Sequence, residues 1–109
     1  MSQVVIRQAG PLPVKTSFMW PSSESIIVAV SGSAWTQKPN TLLTLQVQVD
    51  GKVLGTIQQL AGTAVTHLAL PTGFFAVQRQ ISQAVLTLTA GNDTTIADGN
   101  DQFTVALIF

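Results

Sequence analysis

The chain contains no cysteine and only one histidine, and charged residues make up 9% of its 109 residues. Without cysteine there is no disulfide framework, and zinc, which usually needs three or four nitrogen, sulfur or carboxylate ligands, is a poor fit. Five Lys and Arg residues balance five Asp and Glu residues. No net charge therefore draws the chain to nucleic acid, and we expect no nucleic-acid partner.

Long apolar segments are also missing. No apolar run approaches the roughly 20 residues of a membrane helix, so we expect no membrane insertion. The N-terminal stretch MSQVVIRQAG lacks a basic segment followed by a long apolar one, so we expect no cleaved signal peptide. Localisation stays undetermined, because cytoplasmic residence and export without a cleaved signal both remain open.

The length and the scarcity of charge favour one self-associating domain. A chain of 109 residues is typical of a single domain, which we place at residues 1–109. A weakly charged surface near neutrality favours association. We therefore expect a homo-oligomer, with a trimer favoured.

Apolar residues alternate with polar ones along most of the sequence, and no window shows sustained helical spacing. The clearest alternations are ESIIVAV, TLLTLQVQV, QAVLTLTA and the closing FTVALIF; QVVIR and AVTHLAL are shorter candidates. Asp50 and Gly51 separate two such runs, which predicts a hairpin turn because glycine readily adopts a positive φ. The pattern predicts an all-β fold, an antiparallel β-sandwich or jelly roll of about 7–9 short strands.

Sequence signatures of enzymes are absent. There is no G-x-S-x-G elbow, no P-loop and no G-x-G-x-x-G segment, and the acidic residues do not flank a recognisable cleft. The single histidine, His67, is interpreted as a hydrogen-bonded structural residue on a strand. A Ser-His-Asp arrangement stays open, because its members need not be close in sequence. We predict a protein that is not an enzyme.

The segment NDTTIADGND, residues 92–101, concentrates the acidic residues. A regular calcium loop needs oxygen donors at alternate positions, and Ile96 breaks that pattern. We therefore predict no metal site and no cofactor, although an irregular calcium site remains an alternative. Asp98 and Asp101 are predicted to hold the turn through backbone hydrogen bonds. The residues expected to face a ligand are Asp93 and Asn100.

Two tryptophans lie beside predicted strand ends. Trp20 occurs in SFMWPSS and Trp35 in SAWTQKPN. A tryptophan ring offers an apolar face that stacks on a sugar ring, or it closes one end of a sandwich core. We include both residues among the candidate ligand-binding positions.

The strand pattern resembles the compact jelly-roll modules of the C1q and tumour-necrosis-factor superfamily. The resemblance rests on SIIVAVSGSAW, LTLQVQVDGKVLGTI, QAVLTLTA and FTVALIF, and it implies a trimeric binding or structural head. The function expected from all these features is a non-enzymatic, lectin-like carbohydrate-binding module. The alternative is a structural or assembly protein, such as a phage or appendage head domain, built through self-association.

Overall fold

Strands provide all the regular structure of the chain. The computed structural model describes every residue, 1–109, and contains ten β-strands and no helix. In chain order the strands are β1 (Ser2–Ala9), β2 (Val14–Phe18), β3 (Ser25–Ser31), β4 (Ser33–Ala34), β5 (Thr41–Val49), β6 (Lys52–Ala61), β7 (Leu68–Ala69), β8 (Gly73–Gln78), β9 (Ala84–Ala90) and β10 (Gln102–Ile108). The chain thus has no helix that would span a membrane.

Eight of the strands form two four-stranded antiparallel sheets. The first sheet has the order β1-β10-β3-β8, and the second has the order β2-β9-β5-β6. The β5–β6 hairpin is the innermost antiparallel pair in chain order. Three further pairs enclose it in turn, β3–β8, β2–β9 and β1–β10, which is the wrapping of a jelly roll. The two remaining strands, β4 and β7, pair with each other and are two residues long. The predicted fold class is confirmed.

The side chains between the sheets come from the alternating faces that the sequence predicts. Inward residues on β3, β5, β9 and β10 form most of a cluster of 20 buried apolar side chains. On β10, for example, Phe103, Val105 and Leu107 are fully buried. Burying such a side chain stabilises the fold by about 1.5–3 kcal/mol. Strand alternation therefore determines which residues make the core.

The adjacent residues Phe74 and Phe75 on β8 point to opposite faces, as expected for a strand. Phe74 is 64% exposed, whereas Phe75 is half-buried against the core. A Cβ atom added at Gly55 would lie 2.5 Å from the Phe75 ring. Glycine at this position lets β6 approach the ring closely.

The segment AVTHLAL forms much less strand than predicted. Only Leu68 and Ala69 belong to β7, and His67 lies in the loop that precedes it. In this loop Val65 has a φ of 60°, and its N–H donates to the carbonyl of Thr36 at 2.8 Å. A left-handed β-branched residue interrupts a strand. The expectation that His67 lies on a strand is therefore wrong.

Candidate functional site

The acidic loop, residues 91–101, joins β9 to β10 and meets several other segments at one end of the sandwich. Trp35 and Ile96 exchange two backbone hydrogen bonds, each of 2.8 Å. The N–H of Gly10, just after β1, donates to the carbonyl of Asp101 at 2.9 Å. The N–H of Thr44 donates to the hydroxyl of Thr95 at 2.9 Å. Contacts with three different parts of the chain thus fix the position of the loop.

Asn92 fastens the first half of the acidic loop to β5. Its side-chain N–H group donates to the carbonyl of Leu42 at 2.9 Å. Its side-chain oxygen accepts from the N–H of Thr95 at 3.0 Å and also from the Thr95 hydroxyl. Because these polar groups form hydrogen bonds with one another, the first half of the loop has a structural role.

Asp101 supplies a fully buried carboxylate in the second half of the loop. Its Oδ1 atom accepts a hydrogen bond from the Ser33 hydroxyl at 2.7 Å and lies 2.8 Å from Nδ1 of His67. Its Oδ2 atom accepts from the N–H of Asp98 at 2.9 Å. Three donors from three segments therefore surround the carboxylate, which is how a buried charge is stabilised.

Asp101 determines how the imidazole of His67 is oriented. Since a carboxylate can only accept hydrogen bonds, Nδ1 of His67 carries the proton and donates to Asp101. The other ring nitrogen, Nε2, lies 3.9 Å from Oδ2 of Asp98. The hydrogen bond to Asp101 is the main reason that the pKa of His67 is raised. Desolvation lowers the pKa and is the second-largest cause, and the charges of Asp101 and then Asp98 raise it.

The indole of Trp35 stands beside the imidazole of His67. The ring centroids are 5.8 Å apart, and the planes are tilted by 42°. The Trp35 ring is half-buried, and its N–H group is buried without a hydrogen-bond partner. An aromatic ring, an imidazole and the carboxylate of Asp98 therefore lie together at the acidic-loop end.

Ser33, His67 and Asp101 do not form a catalytic triad. In a triad the serine hydroxyl bonds the histidine nitrogen opposite the one that faces the carboxylate. Here Ser33 and His67 both bond the same oxygen of Asp101. The arrangement leaves the serine without a base, and the structure offers no activated nucleophile at this position.

The cluster of His67, Asp98 and Asp101 brings one ligand atom from each residue within 4.8 Å of the others. Calcium takes six to eight oxygen ligands, whereas this set contains a ring nitrogen. Both oxygens of Asp101 already accept hydrogen bonds, and its carboxylate is buried. One oxygen of Asp98 accepts the N–H of Asn100 at 2.9 Å. The donor set does not fit calcium.

The remaining acidic-loop residues singled out in the sequence lie at the surface. Asp93 is exposed and lines a small depression of about 160 Å³ together with Lys38 and Thr94. Asn100 is also exposed, at the turn between Asp98 and Asp101. The structure thus places both residues at the same end as Trp35.

Trp20 lies at the opposite end of the sandwich. Its ring packs edge-on against Phe18 with the centroids 4.9 Å apart. It lines a groove of about 490 Å³ with Asp50 of the β5–β6 turn. Asp50 and Gly51 have φ angles of 51° and 81°, and Oδ1 of Asp50 accepts the N–H of Val85 at 2.9 Å. The structure does not bring the two tryptophans together.

The sequence interpretation did not associate His67 or Ser33 with the acidic loop. They lie 34 and 68 positions from Asp101, and only the jelly-roll topology makes them neighbours. The sequence offered one clue to this neighbourhood, which is that the chain has a single histidine and a single cluster of acidic residues. The clue does not show that the two lie close together in the folded protein.

Comparisons with known proteins agree with the architecture. No protein-family model matches the chain, and no curated protein matches it by sequence. The C-terminal domain of EclA, a sugar-binding protein, is 16% identical in a match that covers 94% of this chain and 69% of that one, with a TM-score of 0.51. A carbohydrate-binding module CBM36, solved in complex with calcium and xylotriose, is 11% identical over 100% of this chain and 87% of that one, with a TM-score of 0.50.

At these identities the likeness establishes the β-sandwich fold. The jelly-roll fold is loosely consistent with the predicted resemblance to the C1q and tumour-necrosis-factor superfamily, but that superfamily is not confirmed, because these matching structures are sugar-binding sandwich proteins.

Proposed function

We propose that this protein is a non-enzymatic, lectin-like carbohydrate-binding module that holds its sugar at the acidic-loop end. The observation that carries the proposal is the position of the Trp35 ring beside the His67 imidazole, which faces Asp98 and is fixed by a buried carboxylate. A sugar ring has an apolar face and a rim of hydroxyl groups. Trp35 offers a surface for the first, and the two polar side chains offer partners for the second.

The rigidity of this end supports binding. Side chains that are held before the ligand arrives lose little conformational freedom when it binds. The hydrogen bonds of Asp101 hold His67 and the backbone of Asp98, and the bridge to Ile96 holds Trp35. Asp93 and Asn100, both exposed on the same loop, add acceptors around the edge. The sugar-binding descriptions of the matching sandwich structures are consistent with such a role.

A glycan array probed with the labelled protein tests the proposal, followed by titration calorimetry of the best ligand. We expect Trp35→Ala to weaken binding by about two- to tenfold, because a stacked aromatic contact contributes about 0.5–1.5 kcal/mol. Trp35→Phe keeps an aromatic face and should bind better than Trp35→Ala. Thermal unfolding of each variant checks that the fold is intact.

Trp20→Ala is the matched variant at the other end of the sandwich. If this variant loses binding while Trp35→Ala retains it, the groove beside Trp20 is the binding site and the acidic-loop end is not. An array on which the wild-type protein binds no glycan would contradict the function as a whole.

We further propose that the protein is a homo-oligomer, with a trimer favoured, that associates through the outer face of the first sheet. This apolar face consists of Val4, Ile27, Phe74 and Ile108, which are 37–64% exposed, with alanines at positions 29, 76 and 106 between them. Ile27 and Ile108 lie directly opposite each other on β3 and β10. Self-association covers such a patch.

The outer face of the second sheet has a different character. Its centre is polar, with Gln46 facing Thr56 on one side and Thr89 on the other. Two exposed apolar residues, Leu42 and Leu60, lie opposite each other on β5 and β6. A mostly polar face of this kind gains less from a partner than the apolar face of the first sheet does. The contrast between the two faces also favours the assembly role as the second candidate function, in which a structural head associates through the first sheet.

A further inference from the structure

Nε2 of His67 and Oδ2 of Asp98 face each other across a gap of 3.9 Å. This distance is too long for a direct hydrogen bond. The two side chains are 35% and 42% exposed, so the gap is open to a ligand. A hydroxyl oxygen about 2.8 Å from each atom spans this gap.

We propose that one hydroxyl group of a neutral sugar bridges the gap, accepting a hydrogen bond from Nε2–H of the His67 imidazolium and donating one to the carboxylate of Asp98. The inference rests on the proposed function and specifies the chemistry of the same site. The bridge selects the ligand class, because the bound group must accept and donate at the same point.

Other common sugar substituents do not meet this requirement. An ammonium group has no lone pair to accept from the imidazolium, and a carboxylate group has no hydrogen to donate to Asp98. A carboxylate would also approach the negative charge of Asp98. At the bridging position the site therefore favours a hydroxyl group over an amino or a carboxylate group.

The bridge depends on the protonation state of His67. Nδ1 keeps its hydrogen in both states, because Asp101 accepts it. When the ring is neutral, Nε2 has a lone pair and no hydrogen, so the hydroxyl meets two acceptors and can donate to only one of them. Sugar affinity is therefore higher when His67 is protonated and falls as pH rises through its pKa.

The surroundings of the imidazole support the protonated form. The ionisable groups that face it are Asp98 and Asp101 of the acidic loop, and both raise its pKa from the ordinary 6.5. Ser33 and Trp35, which approach from the first half of the chain, carry no charge. Asp101 acts as a positioning residue, since it aims Nε2 at the gap without reaching the ligand itself.

The experiment uses the best neutral ligand from the glycan array, titrated calorimetrically from about pH 5.5 to pH 9. The pKa of His67 is measured in the same buffers by NMR of its ring protons. We expect the wild-type affinity to fall about tenfold across that pKa, as loss of one hydrogen bond to a charged group implies. His67→Gln keeps an amide donor at every pH and should show a pH dependence of less than about twofold.

Single-deoxy analogues of the ligand identify the bridging hydroxyl. Removing that hydroxyl should weaken binding to the wild type more than to Asp98→Ala, since that variant has already lost one of the two hydrogen bonds that the hydroxyl makes. Glu24→Gln, an exposed acid near the start of β3, is the control and should keep both the pH dependence and the sensitivity to the deoxy analogue.

The possible failures are distinguishable. Glycan binding with the same affinity on both sides of the His67 pKa would overturn the bridge and leave the carbohydrate-binding function standing. Equal affinity for the neutral sugar and for an analogue with an amino or carboxylate group in place of the bridging hydroxyl would also overturn the bridge. Absence of glycan binding at every pH would remove the proposed function itself.

Discussion

Nδ1 of His67 lies 2.8 Å from Oδ1 of Asp101, and this contact ties the loop before β7 to the acidic loop before β10. The carboxylate is fully buried, whereas the imidazole is partly exposed. A buried charge thus holds a surface side chain in a fixed orientation. The same oxygen also accepts from Ser33 beside β3, so three separated segments depend on one residue.

Replacing Asp101 by Ala should destabilise the protein strongly. The change leaves the Ser33 hydroxyl and the N–H of Asp98 without their acceptor. We expect a loss of about 2–4 kcal/mol in the free energy of unfolding, because buried polar groups lose their partners. Urea denaturation followed by tryptophan fluorescence measures this loss.

Asp93→Ala is the matched control, since Asp93 is an exposed acid in the same loop. Its effect on the free energy of unfolding should stay within about 0.5 kcal/mol. Equal effects of the two substitutions would show that the buried carboxylate does not hold the loop.

The His67–Asp101 contact should make stability depend on pH. The pKa of His67 is raised in the folded state, chiefly by its hydrogen bond to Asp101. Because the pKa is raised, protonation of His67 stabilises the folded state. This stabilisation is complete below the pKa of 6.5 in the unfolded chain, and it is lost as pH rises through the pKa in the folded protein. The stability difference between the wild type and His67→Gln should therefore be larger near about pH 5.5 than near about pH 9.

Thermal unfolding of both proteins in matched buffers measures this difference. A wild-type advantage that grows with increasing pH would have the wrong sign and would contradict a raised pKa. Lys15→Gln, an exposed charge on β2, controls for general effects of removing a cation and should show no such trend across this range.

The sequence allowed the sandwich to be predicted because its signals are local. The alternation along TLLTLQVQV predicts the buried set on β5, and Asp50-Gly51 predicts the turn that follows. Such patterns depend only on the two-residue repeat of a strand and on the backbone freedom of glycine. The strand β2 was not identified, because VKTSF is short and carries only two buried residues.

The candidate site could not be predicted in the same way, because it depends on topology. Trp35 meets the acidic loop only through the bridge to Ile96, and Ser33 meets Asp101 from 68 positions away. Trp20 resembles Trp35 in its local sequence setting, yet it lies at the other end of the sandwich. Local patterns identify strands, but they do not show which loops lie at the same end of the sandwich.

Calcium should have little effect on this protein. The only compact group of potential ligands is His67, Asp98 and Asp101, and it offers too few free oxygen atoms for six-fold coordination. We expect the melting temperature in sub-millimolar calcium to equal that in chelator. A rise of many degrees that chelator reverses would show that the acidic loop binds the ion after all.

The apolar face of the first sheet should control assembly. Replacing Ile108 by Asp places a carboxylate opposite Ile27 on that face. If the face is buried between subunits, an unpaired charge there costs several kcal/mol and dissociates the oligomer.

Leu60→Asp is the matched control, because Leu60 is an exposed apolar residue on β6 of the second sheet. Sedimentation equilibrium should show a wild-type oligomer, a monomeric Ile108→Asp variant and an oligomeric Leu60→Asp variant. A wild-type protein that remains monomeric at high micromolar concentration would leave the face without a subunit partner and would contradict the proposed assembly.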